Sequence, residues 1–169
     1  MTIEKLSNDS IFQFISFLEK SFKDTYQNIY PIEYIEKIIN DFYSPDNIVR
    51  DNNKDSEDWQ GYYVYLENNK IVGAIAGGQV QDNIYQVFML YVHPDFQSRG
   101  IGTELLDFIT NKQIQYNATT QIVNVSVDNK SAIDYYEYKK FKKIKVVKNW
   151  FLYSEYKFKD YRYSRSLKI

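Results

Sequence analysis

Between Phe88 and Gly102 the chain reads Phe-Met-Leu-Tyr-Val-His-Pro-Asp-Phe-Gln-Ser-Arg-Gly-Ile-Gly. An apolar run ended by Pro94 leads into a short glycine-containing turn, and a helical pattern follows from Gly100 to about Tyr116. The start of a helix offers backbone N–H groups with no partner and the positive end of the helix dipole, and both favour an anion. Gly100 and Gly102 let the backbone approach that anion without a Cβ in the way, and Arg99 brings a positive charge to the same place. The chemistry implied is the binding of a phosphate or pyrophosphate. A P-loop needs Lys and then Ser or Thr after its glycine, whereas Gly102 is followed by Thr103 and Glu104. A dinucleotide fingerprint needs a third glycine where this chain has Leu105. Each nucleotide reading therefore lacks a required residue.

A second informative segment runs from Val127 to Phe141. The loop at Gln97, Gly100 and Gly102 fits the pattern Gln/Arg-x-x-Gly-x-Gly/Ala. The later segment is similar to Asn-x-x-Ala-x-x-Phe-Tyr-x-x-x-Gly-Phe, matching at Asn129, Ala132, Tyr136 and Phe141. Tyr135 stands for the usual Phe, and Lys140 for the usual Gly, which predicts a differently built turn between helix and strand. In this combination the chain resembles the GCN5-related N-acetyltransferases, by pattern from roughly Trp59 to Phe141. More loosely, Phe22 to Tyr26, Tyr30-Pro31 and Tyr34 resemble the first two helices of small-molecule members of that family.

The resemblance implies a sheet whose two central strands splay apart, with the pantetheine arm of acetyl-coenzyme A in the gap. That arm would pair with the backbone of Leu90, Tyr91 and Val92, as a peptide adds to a free strand edge. An N–H of Leu90 or Val92 would steady the thioester oxygen as it becomes an oxyanion. Gln97, Ser98, Arg99, Gly100, Ile101, Gly102 and Thr103 would hold the pyrophosphate, and Asn129 the pantetheine side. Tyr136 would protonate the departing thiolate while the amine attacks the acetyl carbon directly. The general base stays open. Many relatives carry a carboxylate on the strand corresponding to Ile84–Val92, and this strand has none. Water helped by the backbone of Val125 to Val127, or Asp24 or Glu33 from the helices over the acceptor site, are the alternatives.

Composition narrows the field. The chain has 169 residues, enough for a core without staples, and is expected to form one domain over 1–169. It has no cysteine and one histidine, which excludes thiol catalysis, disulfides and multi-histidine metal sites; no metal is expected. With 21 basic and 22 acidic residues, charge gives no case for a nucleic-acid or membrane-surface partner. No apolar run approaches the ~18 residues of a membrane span, and the start does not read as a signal peptide, so a cytoplasmic protein is the default. His93 reads as a turn residue before Pro94, Tyr135 as core, and the mixed aromatic and basic stretch Tyr156–Tyr163 as an amphipathic strand rather than an RNA contact.

The elements that must position these residues follow from pattern. Asn8 to Ser10 precede a helix with Ile11, Phe14, Ile15, Leu18 and Phe22 inward. Pro31 opens a second, with Ile32, Ile35, Ile38, Ile39 and Phe42 inward. Ser44 to Asp58 reads as a loop. Strands follow at Trp59–Leu66, Ile71–Val80 and Ile84–Val92, the second weakened by Gly73, Gly77 and Gly78, which point to a bulge or close backbone approach. After the helix from Gly100 come a strand at Ile122–Val127, a short helix at Asn129–Lys140 and closing strands at Phe141–Val147 and Phe158–Leu167. The order predicts a mixed α/β fold with a mostly antiparallel central sheet and helices on both faces. The partners expected are acetyl-CoA, an amine acceptor and, through an aromatic edge near Tyr156–Tyr163, a second copy of the chain. A small-molecule amine is the leading acceptor; a protein N-acetyltransferase and a non-catalytic acyl-CoA-binding module are the competing functions.

Overall fold

The structure, a computed structural model, describes residues 2–54, 56–149, 151 and 155–167. Seven strands form one sheet in the order β1-β2-β3-β4-β5-β7-β6. They are β1 (Thr2–Lys5), β2 (Tyr62–Glu67), β3 (Lys70–Gln81), β4 (Ile84–Val92), β5 (Thr120–Ser126), β6 (Lys142–Lys148) and β7 (Lys159–Ser166). Every neighbouring pair is antiparallel except β4 and β5. The helices are α1 (Ile11–Tyr26), α2 (Ile32–Phe42), α3 (Pro45–Asn52), α4 (Ile101–Gln115) and α5 (Lys130–Tyr138). The expected mixed α/β fold is present.

Both faces of the sheet are covered, and strand alternation sorts the side chains. On β2, Tyr63 and Tyr65 join α4 and α5, packing with Leu105, Leu106, Ile109 and Tyr136. Tyr62 and Val64 point the other way, toward Phe14, Phe17 and Leu18 of α1 and Ile48 of α3. A third cluster joins the end of α1 to α2 through Phe22, Tyr30, Tyr34, Ile35, Ile38 and Ile39. The glycines of β3 behave as close-approach positions: a Cβ on Gly73 would meet Ile101 Cγ2 at 2.8 Å, and one on Gly78 would meet the Asp58 carbonyl oxygen at 2.1 Å.

The feature that shapes the site is the partial pairing of β4 and β5. They are in register from Ile84↔Thr120 to Val87↔Val123, and no further. At that point β4 carries a bulge, because Ala76 pairs with Met89 and Gly77 with Val87, which leaves Phe88 as the extra residue. Beyond it Phe88–Val92 stays on β3, while Asn124–Ser126 continues along β7. Below the fork, buried glutamines tie the two strands to α4. Gln121 donates to Gln113 Oε1 (2.8 Å), and Gln113 donates to the Gln86 carbonyl (3.4 Å). On the far side, Tyr34 donates to Asn149 Oδ1 (2.5 Å) and Asn149 donates to Tyr30 (3.1 Å) and to Asp160 (2.9 Å), so α2 and the α1–α2 turn are fixed to β7.

Several expectations need correction. The Ser44–Asp58 segment contains α3: Ser44 caps it by accepting from the Asn47 N–H (3.4 Å), and Pro45 occupies its first turn. Its apolar periodicity is hidden because, of its hydrophobic residues, Ile48 is buried and Val49 exposed; Asp55 lies outside the described residues. β1 escapes pattern reading because four residues with one half-buried apolar side chain, Ile3, give no alternation to detect. In α2 the inward positions are Tyr34, Ile35, Ile38 and Ile39, whereas Ile32 and Phe42 are exposed at the two ends. The strand expected at Phe158–Leu167 is β7, and it is not an edge: it lies between β5 and β6. Finally, Lys140 does not change the turn after α5. It adopts the left-handed conformation itself (φ 68°), where a glycine fits without steric cost.

That last observation makes a stability prediction. A left-handed residue with a Cβ costs about 1–2 kcal/mol, partly offset by the extra freedom glycine has in the unfolded chain. Lys140→Gly should raise stability by up to about 1 kcal/mol, read as an upward shift of a few degrees in Tm. A lowered Tm would mean that the lysine side chain stabilises the turn by another route.

Candidate active site

The fork between β4 and β5 opens a cleft of about 650 Å³. Its lining includes Phe88 to Val92 from β4, Val123 to Val125 from β5, Gln97 to Thr103 apart from Arg99, and Asn129, Tyr135 and Tyr136 from the α5 region. The end of α1 closes it with Asp24, Thr25 and Tyr26. Residues far apart in the chain thus meet around one opening because the two strands part there.

The open edge of β4 is directional. His93 donates its N–H to the Val72 carbonyl on β3 (2.8 Å). With the two-residue period of a strand, the N–H groups of Leu90 and Val92 therefore face away from β3, into the gap. Gln97 donates from its side chain to the Val92 carbonyl at 3.5 Å, from the same side. The Tyr91 side chain packs toward α1 instead, with its ring centroid 5.9 Å from that of Phe22.

The loop ahead of α4 is held in left-handed backbone at Ser98 (φ 61°) and Gly100 (φ 84°). Among the described residues, the N–H groups of Ser98, Arg99 and Gly100 donate to no protein acceptor, and Ile101 and Gly102 form the first helical turn. A packing role for Gly102 does not account for its lack of a side chain: an added Cβ would sit at ordinary contact distances, 3.7 Å from Val92 Cγ2 and 3.8 Å from the Tyr135 hydroxyl. What the glycine leaves free is room in the cleft. Ile101 contributes backbone alone, since its side chain is buried against Gly73. Arg99 is the exception to the expected set. Its guanidinium donates to the Asp95 carbonyl (3.0 Å) and stacks 4.7 Å over the Phe96 ring, outside the cleft lining.

On the facing wall, Asn129 lines the cleft and caps α5, accepting from the Ala132 N–H at 3.2 Å. Tyr135, expected as core, is half-buried and donates to the Gly102 carbonyl (2.9 Å), which pins the start of α4 to α5. Burial pushes its hydroxyl up to about 12. Tyr136 is buried among core side chains, yet its residue reaches the cleft, and no hydrogen bond engages its hydroxyl among the described residues. Burial first, and then the nearby Tyr135 and Tyr26, raise its ionisation far above the usual tyrosine value, so it stays protonated.

The two candidate carboxylates part company. Asp24 is exposed at the cleft, whereas Glu33 is exposed in the first turn of α2 and is not part of the lining. His93 is a turn residue that accepts from the Asp95 N–H (3.3 Å). Pattern reading missed Tyr26, whose only signal was its place in the Phe22–Tyr26 stretch at the end of the first helix. Among the described residues no cluster of His, Cys, Asp or Glu is placed to hold a metal, and no helix is long and apolar enough to cross a membrane.

A profile described as the acetyltransferase (GNAT) family matches residues 16–141. The chain belongs to this family. A relative named as an uncharacterized N-acetyltransferase of Methanocaldococcus jannaschii is 35% identical over 103 residues, covering 55% of this chain and 44% of that protein. This chain thus spans less than half of that relative's length. Among solved structures, the PaiA N-acetyltransferase of Thermoplasma acidophilum in complex with coenzyme A superposes with a TM-score of 0.83 at 22% identity, over 98% of this chain and 99% of that one. The ribosomal-protein-S18-alanine N-acetyltransferase of Escherichia coli gives 0.70 at 17% identity, over 99% and 94%. At these identities the likeness is one of GNAT fold.

The vacancy at Gly102 is open to test. Gly102→Asp has room for its Cβ but brings a carboxylate to the face of the loop next to its unpaired N–H groups. The variant should fold, and its affinity for acetyl-CoA should fall by at least about tenfold, since a like-charge contact costs more than the ~1.4 kcal/mol that a factor of ten represents. Unchanged binding by calorimetry in the folded variant would remove the phosphate role from this loop.

Proposed function

We propose that this GNAT protein transfers an acetyl group from acetyl-CoA to a primary amine of a small molecule, such as a polyamine, amino acid, amino sugar or drug. The observation that carries the reading is the union, in one cleft, of an open strand edge, a loop of unpaired N–H groups and a largely buried tyrosine whose hydroxyl has no hydrogen-bond partner among the described residues. The pyrophosphate would lie on the N–H groups of Ser98 to Gly102, where the dipole of α4 adds to their attraction. The pantetheine amides would pair with the Leu90–Val92 edge, and Asn129 would meet the same arm from the other wall.

The reaction then needs three things of the chain. The N–H of Leu90 or Val92 stabilises the negative charge that grows on the acetyl oxygen. The fork holds the thioester so that the amine reaches its carbon from the α1 side. Tyr136 supplies a proton to the sulfur as the C–S bond breaks. No covalent enzyme intermediate is required. A small acceptor is supported by the roof over the cleft: Asp24, Thr25 and Tyr26 crowd the side from which the amine must come, and the α1–α2 turn is fixed to β7 through Asn149. The reading includes action in the cytoplasm as a single domain, and a homodimer formed through a surface other than the interior strand β7. A monomer mass by light scattering at micromolar concentration would remove the dimer.

The test of the reading is release of thiol from acetyl-CoA across an amine panel; cofactor binding without turnover would favour an acyl-CoA-binding module, and turnover with peptide N-termini alone would favour a protein acetyltransferase. Within it, Tyr136→Phe keeps the ring and removes the donor. Acetyl-CoA affinity should be retained while the single-turnover rate falls by roughly one to three orders of magnitude, with kcat and kcat/KM falling together. Wild-type single-turnover rates in that variant would leave Tyr136 as packing.

A further inference from the structure

The net charge of −1 conceals an uneven distribution. Residues 1–138 carry ten Lys and Arg against 20 Asp and Glu, whereas residues 139–169 carry eleven against two. The fold gathers much of this basic part on one edge of the sheet. Among the described residues β6 pairs with β7 alone, so its other side is an open edge. Lys142, Lys143, Lys145 and Lys148 are exposed along it, and none is in an ion pair with a described carboxylate. Asp160, on the neighbouring strand, is buried and holds Asn149. At the start of β6, Lys139, Lys140 and Lys142 line a hollow of about 650 Å³ in which Asp107 is the one carboxylate among the described residues.

The backbone of this edge is directional. Asn149 donates its N–H to the Phe158 carbonyl (3.1 Å), so by the two-residue period of the strand the N–H and C=O of Val146 and Lys148 face away from β7. Beside them Ile144 and Val146 are 60% and 52% exposed. The register puts Lys143, Val146 and Lys148 opposite Tyr163, Tyr161 and Lys159, on one face, and Lys142 and Lys145 opposite Ser164 and Arg162, on the other. A strand laid along this edge therefore meets cationic groups whichever way its side chains point. Lysine on an edge is an ordinary guard against pairing between copies. It works here against β6 of a second copy, which would set like charges together. It does not work against an acidic strand, whose carboxylates the lysines would attract. A nucleic-acid backbone fits less well, because phosphates accept hydrogen bonds but offer no donor to the outward carbonyls, and they leave Ile144 and Val146 uncovered.

We propose that β6 is a docking edge for an extended acidic segment of a partner protein, which joins the sheet as a further strand beyond β6. Main-chain bonds to the outward groups of Val146 and Lys148 supply the attachment. Carboxylates set against Lys142, Lys143, Lys145 and Lys148 select the partner by charge. Apolar side chains of the segment cover Ile144 and Val146, and the hollow beside Lys139 and Lys140 receives a further carboxylate. The edge lies two strands beyond β5, on the side away from the fork, so the docked segment leaves the cleft open. The inference does not rest on the acetyl-transfer reading above.

The experiment is fluorescence anisotropy with a labelled, end-capped peptide, Glu-Val-Glu-Ile-Glu-Val-Glu, titrated with the full chain. Three probes serve as controls: the same peptide with Pro for its central Ile, which keeps the charge and breaks strand pairing; the same peptide with Lys for every Glu; and a short oligothymidylate. The wild type should bind the acidic peptide at least about tenfold more tightly than any control. Val146→Pro removes an N–H that β7 does not use, so the ladder to β7 survives. Its affinity for the acidic peptide should fall by at least about tenfold, with Tm within a few degrees of wild type. The double variant Lys143→Glu, Lys145→Glu should lose as much. Should Val146→Pro fail to fold, the proline-containing peptide reports on the same main-chain pairing. No saturable binding of the acidic peptide up to about 1 mM, equal affinity for the proline-containing peptide, oligothymidylate bound as tightly, or undiminished binding by either folded variant would each overturn the proposal.

Discussion

A strand that loses one neighbour half-way along its length must leave backbone donors and acceptors without partners, and such groups are costly to bury. The rest of this GNAT molecule is arranged around that constraint. β4 is paired on both sides as far as Val87 and on one side beyond it. The bulge at Phe88 marks the change, and the Gln113–Gln121 contacts secure the last region where the two strands still touch. The N–H groups left over at Leu90 and Val92 face the gap, where the sheet is unfinished.

The same constraint explains why the cleft walls come from distant parts of the chain. One wall is local: strand, turn and helix start run without interruption from Leu90 to Thr103, and Tyr135 locks the helix start through its bond to the Gly102 carbonyl. The wall at α1 is assembled from the end of α1, the α1–α2 turn and β7, through the Tyr30–Asn149–Asp160 contacts. One wall of the cleft therefore depends on a short stretch with left-handed backbone at Ser98 and Gly100, while the wall at α1 depends on long-range packing among aromatic rings.

That division also governs how much could be read from sequence. The Gln97–Gly102 loop and the Asn129–Tyr136 spacing were legible because each needs particular residues at fixed local offsets, and the structure gathers nearly all of them on one cleft. Arg99 carries a charge beside the loop, but the Phe96 ring and the Asp95 carbonyl claim its guanidinium, which no local spacing reveals. Glu33 was placed by the position of its helix, and only the packing of Tyr34 and Ile35 inward decides that it faces out. Nothing local separates Tyr26 from sixteen other tyrosines, since its place on the cleft comes from the end of α1 lying over the fork. β1 and α3 were hidden for a simpler reason: short elements with one inward apolar residue have no period to detect.

The place of β7 in the sheet bears on how the chain is completed. β6 is made before β7, yet β7 is the neighbour through which it joins the sheet, between itself and β5. During synthesis β6 must therefore wait, its lysine-rich strand solvated, until the residues from Lys159 onward emerge. A polypeptide terminated just before that point would lack not one strand but two, and β5 would be left with a bare flank facing water on the side opposite the fork. β7 is thus the strand on which the place of β6 in the sheet depends, although β6 precedes it in the chain.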